Sequence, residues 1–260
     1  LHGTTSGRLA SRNPNLQNIV RDKSIRQQFT VTKPGNVLIQ RDYKQAEGRV
    51  IATLAQDEYL QSIFSNPNVD IFDTMADTLY GVGNWGKEQR IRVKAFFYGL
   101  SYGRETQSIA VEYNIPFREA HRLRTDFTDL IPATVRWQED IKRRVLRGDD
   151  LVTPFGRRRR FWLITKQNEH SVLNEALSFL PQSTASDICL SALTDLRPML
   201  RGHGFIRLTI HDALVAECKE EKAEYVSALM GRVMEEKGRL FTNYVPFTTD
   251  ATMGTNWGQL

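Results

Sequence analysis

Between Val37 and Leu54 the chain changes period, and that change limits what it can fold into. Val37, Leu38 and Ile39 are consecutive β-formers, set off from what precedes them by the turn cluster Lys33-Pro34-Gly35-Asn36. From about Gln45 onward Val50, Ile51 and Leu54 fall at helical spacing. A strand that hands over to a helix within a few residues holds its backbone firmly and leaves its carboxyl tip open. Asp42 stands at that tip. A carboxylate there reads either as a helix N-cap, a position that Asp favours, or as a metal ligand.

The 260 residues are 40% hydrophobic, enough for a sizeable core or two modest subdomains. No run of about 18 apolar residues occurs, so no membrane-spanning helix is expected. The chain opens Leu1-His2-Gly3-Thr4 without a signal peptide, and it reads as a piece of something longer. Cys189 and Cys218 lack metal-ligand spacing and form no disulfide framework, which points to a reducing compartment. The net charge of +5 suggests an acidic partner only weakly, but its distribution says more. From Arg136 to Arg160 nine basic residues stand against four acidic ones, a surplus equal to that of the whole chain. Arg157 to Arg160 follow a Thr-Pro-Phe-Gly turn. The run reads as a solvated face or as a contact to a phosphate backbone.

Several other stretches carry chemistry. The opening loop from Thr5 to Asn18 is rich in Gly, Ser, Asn and Pro. Its Arg8, Asn15, Gln17 and Asn18 side chains suit either a surface linker or hydrogen bonding to nucleic acid. Helix is expected to continue through Asp57–Phe64, to break at Asn66-Pro67-Asn68, and to resume behind an Asp70 cap. Gly81 to Gly86 form a turn without the spacing of a phosphate loop. In the following helix Arg90, Lys94 and Tyr98 recur every four residues and share one face. Two cations and an aromatic on one stripe suit a polyanion with a flat ring lying along the helix; the bland reading is a snorkelling surface helix. Gly99 and Gly103 lower helix propensity there, which is tolerable where something approaches the backbone closely.

Helices broken at Asn114-Ile-Pro116 and Ile131-Pro132 are expected next, then a strand or hairpin around Pro154-Phe-Gly156. A long helix from about Asn168 to Leu200 is expected to be interrupted by Pro181, with a kink that aims Gln182. Phe205–Ile210 and Ala213–Cys218 read as a hairpin that presents His211-Asp212 at its tip. No Gly or Asn supplies the positive φ that tight hairpins favour, so the pair reads as more than a turn. An amphipathic helix from Glu220 to Leu240 and a last strand from Phe247 to Met253 complete the chain.

Together these residues resemble the family A DNA polymerases. Asp42-Tyr43-Lys-Gln45-Ala-Glu47-Gly-Arg49 is similar to the family's first carboxylate motif, and His211-Asp212 to its second. Arg90-x3-Lys94-x3-Tyr98-Gly99-x2-Tyr102-Gly103 is similar to its nucleotide-binding helix. The segments Gly7–Ile19, Phe155–Arg159 and Gln182–Asp187 match further family segments in order, so the resemblance covers essentially the whole chain.

The resemblance implies an α+β fold: a polymerase palm with an antiparallel sheet, plus a mostly helical fingers subdomain. Palm residues would be 1–56 and 166–260, and fingers residues 57–165, with thumb and exonuclease domains on the rest of the chain or on another chain. It implies template-directed DNA synthesis from deoxynucleoside triphosphates on primer-template DNA. Two Mg2+ ions, replaceable by Mn2+, would be held by Asp42, Asp212 and the backbone carbonyl of Tyr43, about 3.5–4 Å apart as in other two-metal sites. Arg90 and Lys94 would grip the triphosphate, with Lys94 also the acid for pyrophosphate. Tyr98 would stack on the incoming base, Glu47 would close off the ribose 2′ position, and Gln45 would lie with them. Arg8, Gln17, Gln182 and His211 would read minor-groove acceptors, Tyr102 would stack on the template side, and Asn15, Arg157 and Arg158 would contact DNA. A cytoplasmic place in a bacterial or phage-infected cell follows from the same resemblance, and some features suggest a phage-type branch.

The chain also departs from the pattern. Ala213 stands where the family usually has a second acidic residue, Phe72 where it usually has a phosphate-contacting histidine, Gly48 where it has a larger apolar residue, and Ser178 where it has an asparagine. A non-catalytic primer-template-binding module is the competing reading, opposed by the retention of both Asp42 and Asp212. A single-subunit RNA polymerase is disfavoured by Glu47.

Overall fold

The turn that launches the first strand rests on Gly35, whose φ of +79° an L side chain rarely adopts. The computed structural model describes residues 4–260 apart from Arg21 and Asn68. A short helix, α1 (Lys23–Arg26), precedes strand β1 (Asn36–Tyr43), and α2 (Ala46–Leu54) follows at once. Next come α3 (Glu58–Ser65), α4 (Ile71–Tyr80), α5 (Lys87–Ser101), α6 (Thr106–Glu112), α7 (Phe117–Leu130) and α8 (Pro132–Leu146). A two-residue-stranded hairpin, β2 (Leu151–Val152) and β3 (Arg158–Arg159), leads to the long helix α9 (Glu169–Met199). The chain closes with β4 (Gly204–Ile210), β5 (Ala213–Lys219), α10 (Ala223–Phe241) and β6 (Thr249–Gly254). The fold is α+β.

The chain divides into two compact units, residues 1–46 with 182–260, and residues 47–181. The first holds an antiparallel sheet in the order β4-β5-β1-β6. Val37, Leu38 and Ile39 are all buried, so this part of β1 is covered on both faces rather than alternating. Helix α10 packs on the sheet through Val226, Met230, Val233 and Met234, all buried. Tyr43, at the end of β1, donates its phenol hydrogen to the Met234 carbonyl at 2.6 Å and ties strand to helix. Asp42 is opposite Ala213 on β5 and Asp250 on β6.

The second unit is helical apart from the small hairpin. Its largest buried side chains include Phe96, Phe97, Phe127 and Leu123. A further cluster joins Ile141 and Val145 of α8, Leu151 of β2, and Ala176, Leu177, Phe179 and Leu180 of α9. Breaks stand where the punctuation placed them: Asn114 has a left-handed φ of +50°, and Pro132 is the first residue of α8.

Two expectations require correction, and a third is met by a neighbour inside the protein. The helix does not run on through Asp57: α2 ends at Leu54, Gln56 turns left-handed, and Asp57 caps α3 by accepting from Leu60 N at 3.2 Å. Its other oxygen accepts from the Thr134 amide and hydroxyl, both at 3.0 Å, so this buried carboxylate also starts α8. Asn66 closes α3, while Asn68, two residues on, lies outside the described residues. Second, α9 is continuous from Glu169 to Met199, and Pro181 lies inside it without interrupting it. Losing one backbone donor is outweighed by the burial of Leu177, Phe179 and Leu180 in the preceding turn. The close approach expected at Gly99 comes from within the protein. A Cβ there would lie 2.6 Å from Ile109 Cδ1, so α6 is the close neighbour. Gly103 has φ of +73° just past the helix end, the usual station of glycine. Gly48 has a similar account, because Phe64 and Phe97 rings fill the space a side chain would need.

Candidate active site

The hairpin between β4 and β5 turns on two residues, His211 and Asp212. With no glycine available, His211 itself adopts the left-handed conformation, φ +51°. A distant side chain holds that turn. Gln17 donates its amide hydrogen to the Thr209 carbonyl at 2.5 Å, and its Oε1 accepts from the His211 amide at 3.2 Å. Gln17 was expected to read a minor groove, but both ends of its amide are engaged with the hairpin. Asn15 is similarly committed, its Oδ1 accepting from the Gln17 amide at 3.2 Å and the Ser11 hydroxyl at 3.4 Å.

Register brings the two carboxylate motifs together. Asp42 pairs with Ala213, the residue after Asp212, and the Tyr43 amide donates to the Asp212 carbonyl at 3.4 Å. Asp42 is exposed, four residues before the start of α2, which excludes the N-cap reading. Asp212 Oδ1 is a buried oxygen with no hydrogen-bond partner, 3.9 Å from Arg8 Nη2. Burial raises the Asp212 carboxyl above the usual carboxylate range, with Arg8 and His211 opposing. The buried Cys189 thiol is likewise pushed up by burial and then by Asp212 and Asp42.

An orphaned buried carboxylate oxygen beside an exposed carboxylate suits a hard divalent cation, which needs few protein ligands when water and phosphate oxygens complete its shell. Among the described residues no three His, Cys, Asp or Glu side chains are grouped to hold a metal ion by themselves. A carboxylate that sequence patterning did not single out stands on the next strand. Asp250 faces Asp42 across the β1–β6 ladder and is paired with Lys44 Nζ at 2.8 Å, which offsets the like-charge repulsion of such a pair. Gln182 is partly buried on α9.

The helical unit carries the nucleotide-binding candidates. Gln45, in the first unit, takes φ +44° immediately ahead of α2, and Glu47 lies in that helix's first turn. On α5, Arg90 and Tyr98 are half-buried and Lys94 is exposed, and Tyr102, which caps the helix, is half-buried. The Tyr98 and Tyr102 rings stack with centroids 6.3 Å apart, and the Tyr102 hydroxyl is buried without a hydrogen-bond partner. Phe72 of α4 packs beneath the stripe. Its ring lies 5.8 Å from Arg90 Cζ, 5.6 Å from Lys94 Nζ and 5.8 Å from the Tyr98 ring. Arg90 donates from Nη2 to Asp70 Oδ2 at 2.8 Å and from Nε to Asp73 Oδ1 at 2.5 Å. These partners are 20 and 17 residues away. Only the spacing of Asp70 and Asp73, three apart at a helix start, hinted that they act together.

The basic run is less free than its composition suggests. Asp150 accepts from both Arg158 and Arg160, which outweigh its desolvation and keep its carboxyl below the usual range. Arg159 pairs with Glu175, Arg143 with Asp140 and Arg147 with Asp149. Arg157, partly buried, donates its amide to the Thr153 hydroxyl at 3.1 Å.

A family model described as DNA polymerase family A matches residues 1–259. The chain belongs to that family. The thermostable DNA polymerase I of Thermus thermophilus is 33% identical over 264 residues, covering 98% of this chain and 31% of that protein. The DNA polymerase I of Caldicellulosiruptor bescii is 31% identical, with the same two coverages. A solved structure, the POL domain of Pol1 from M. smegmatis in complex with DNA primer-template and dNTP, superposes with a TM-score of 0.88 at 27% identity. It covers 98% of this chain and 47% of the other. This family A chain therefore spans less than a third of those curated relatives' length.

Proposed function

We propose that this family A chain is the palm and fingers part of a template-directed DNA polymerase. It would transfer a nucleotide from a deoxynucleoside triphosphate to a primer 3′-hydroxyl and release pyrophosphate. The observation that carries this reading is the β1–β5 register, which sets Asp42 beside a hairpin turn whose Asp212 keeps a buried oxygen unpartnered. Membership of a family whose relatives are named DNA polymerase I supports it, as does likeness to a polymerase domain bound to primer-template and dNTP.

Asp42, Asp212 and the Tyr43 carbonyl would hold two Mg2+ ions, with Mn2+ able to substitute. Bound there, the ions supply activation of the primer hydroxyl and neutralisation of the developing phosphate charge. Gln17 bonds to both sides of the His211-Asp212 turn, which would keep the Asp212 backbone in place when a ligand arrives. Arg8 lowers the cost of keeping Asp212 charged in a desolvated place.

On the helical unit, Arg90 and Lys94 would bind phosphate oxygens, and Lys94, exposed on its long stem, would deliver a proton to the leaving pyrophosphate. Tyr98 would stack on the incoming base and Tyr102 on the template side. Glu47, with Gln45 ahead of it, would crowd the ribose 2′ position. His211, Gln182 and Arg8 would face the minor groove, while Arg157 and Arg158 would exchange their local carboxylates for DNA phosphates. Gln17 and Asn15 would act by shaping the loop beside them.

Primer extension with Mg2+ tests the assignment, using the protein together with any thumb-bearing partner it needs. Asp42→Ala and Asp212→Ala should each reduce single-turnover extension by about a hundredfold to a thousandfold, the scale of losing charge stabilisation at the reacting phosphate. Duplex binding should stay within about twofold, since it rests on basic and amide groups. Substantial extension by either variant would overturn the metal assignment. Duplex binding without any extension by the wild type would favour a non-catalytic module.

A further inference from the structure

The start of α4 changes the charge of the face proposed to grip phosphate. Asp70 has a fixed duty as the helix cap: its Oδ1 accepts from the Phe72 amide at 2.8 Å and the Asp73 amide at 3.2 Å. Its Oδ2 takes Arg90 Nη2. Asp73 caps nothing; its carboxylate takes Arg90 Nε. One edge of the guanidinium is therefore filled by two carboxylates, which leaves the Nη1 donors for another partner. Arg90, Lys94, Asp70 and Asp73 together carry no net charge, although the Arg-x3-Lys stripe by itself reads as doubly positive.

We infer that Asp73 determines which charge form of a polyphosphate this face accepts, disfavouring the bare polyanion relative to its complex with a divalent cation. The inference rests on the reading of α5 as the triphosphate-binding helix. Its physical basis is that Coulomb energy is linear in ligand charge, and a bare triphosphate carries about twice the negative charge of its magnesium complex. Repulsion by Asp73 therefore falls twice as heavily on the bare form. Asp73 has little structural work to explain it otherwise. Its side chain is 46% exposed, and ion pairs that open to solvent contribute little to stability. Orientation of Arg90 does not require the charge either, because Asp70 and the Phe72 ring already hold the guanidinium from two sides.

Three substitutions separate charge from geometry. Asp73→Asn keeps an acceptor oxygen for Arg90 Nε and removes the charge. Asp73→Ser removes the charge with a different side chain, and Asp73→Glu keeps it. Binding of inorganic tripolyphosphate is measured by calorimetry at low salt without DNA, once with a chelator and once with saturating Mg2+, on proteins whose thermal melting matches the wild type. The Asn and Ser variants should bind the bare ion roughly tenfold more tightly and the magnesium complex only about fourfold more tightly, and both gains should shrink as salt is raised. Asp73→Glu should keep the wild-type ratio. An unchanged affinity, or equal gains for both forms, overturns the inference while leaving the phosphate reading of α5 intact. Absence of tripolyphosphate binding by the wild type and every variant overturns both.

Discussion

Tyr98 lies half-buried on α5, packed edge-on against Phe97, tilted against Phe72 and stacked on Tyr102. Aromatic neighbours on three sides fix the ring plane, so what the phenol adds over a phenylalanine is one oxygen at a set place. On the proposed reading the sugar of the incoming nucleotide lies near that oxygen. A 2′,3′-dideoxynucleotide lacks the 3′-hydroxyl, and the phenol can then satisfy the polar groups left behind. An unpaired buried polar group costs about 1–3 kcal/mol, or roughly 5- to 150-fold in selectivity. Dideoxy terminators should therefore compete well against normal substrates in the wild type, and Tyr98→Phe should discriminate against them within that range. A competition assay reads the ratio directly, and equal discrimination by both proteins would make Tyr98 a stacking surface only.

Among elements, the inner strand β5 carries a polar centre of its own in Glu217. This side chain is fully buried, yet its oxygens accept from the Thr32 amide at 2.9 Å, the Thr32 hydroxyl at 2.6 Å, Asn36 Nδ2 at 2.7 Å and Arg207 Nε at 2.8 Å. Arg207 reaches it because β4 is bulged there, two of its residues facing one on β5. Burial by itself would raise the Glu217 carboxyl, but the bonds from Asn36, Thr32 and Arg207 outweigh it and hold it at about 2. A carboxyl lowered in the folded state stabilises above its unfolded value, and that stability is lost as pH falls from about 4.5 to about 2. Glu217→Gln should destabilise the protein at neutral pH by about 2–3 kcal/mol, the scale of a hydrogen bond to a charged group. Denaturant titrations across pH 2–7 should also show a shallower acid loss in the variant. Parallel pH profiles would remove Glu217 from the acid transition.

For the whole chain the electrostatic signature is a modest net charge of +5, much of it tied up locally. Helix α8 and the β2–β3 hairpin carry basic residues that pair with Asp140, Asp149, Asp150 and Glu175. Exposed pairs of this kind exchange readily for phosphates, since each contributes little on its own. Duplex binding should thus be salt-dependent. Raising NaCl from about 50 to about 200 mM should weaken it at least tenfold, as the release of two or more phosphate contacts would do. Titration of a labelled primer-template at several salt concentrations gives the slope; a flat response would exclude backbone phosphates as the main source of affinity. Among the described residues no helix is long and apolar enough to cross a membrane.

What the sequence determined by itself was whatever repeats or punctuates within a few residues. The switch of period after Val37-Leu38-Ile39, the His211-Asp212 turn between two apolar runs, the Arg90-Lys94-Tyr98 face and the Asp70 cap all stand in the fold where local pattern put them. Those features depend on backbone periodicity and turn chemistry, which neighbouring residues encode. The tertiary structure alone decided what each exposed-looking polar group would meet. Gln17 reaches across 194 residues to the His211 amide, Asp57 across 77 to Thr134, and Glu217 across 185 to Thr32. The same holds for Pro181, tolerated in mid-helix because apolar side chains of distant segments bury the turn before it. Such pairings come from hydrogen-bond capacity and apolar area being satisfied only after the chain has closed on itself, and no local period records them.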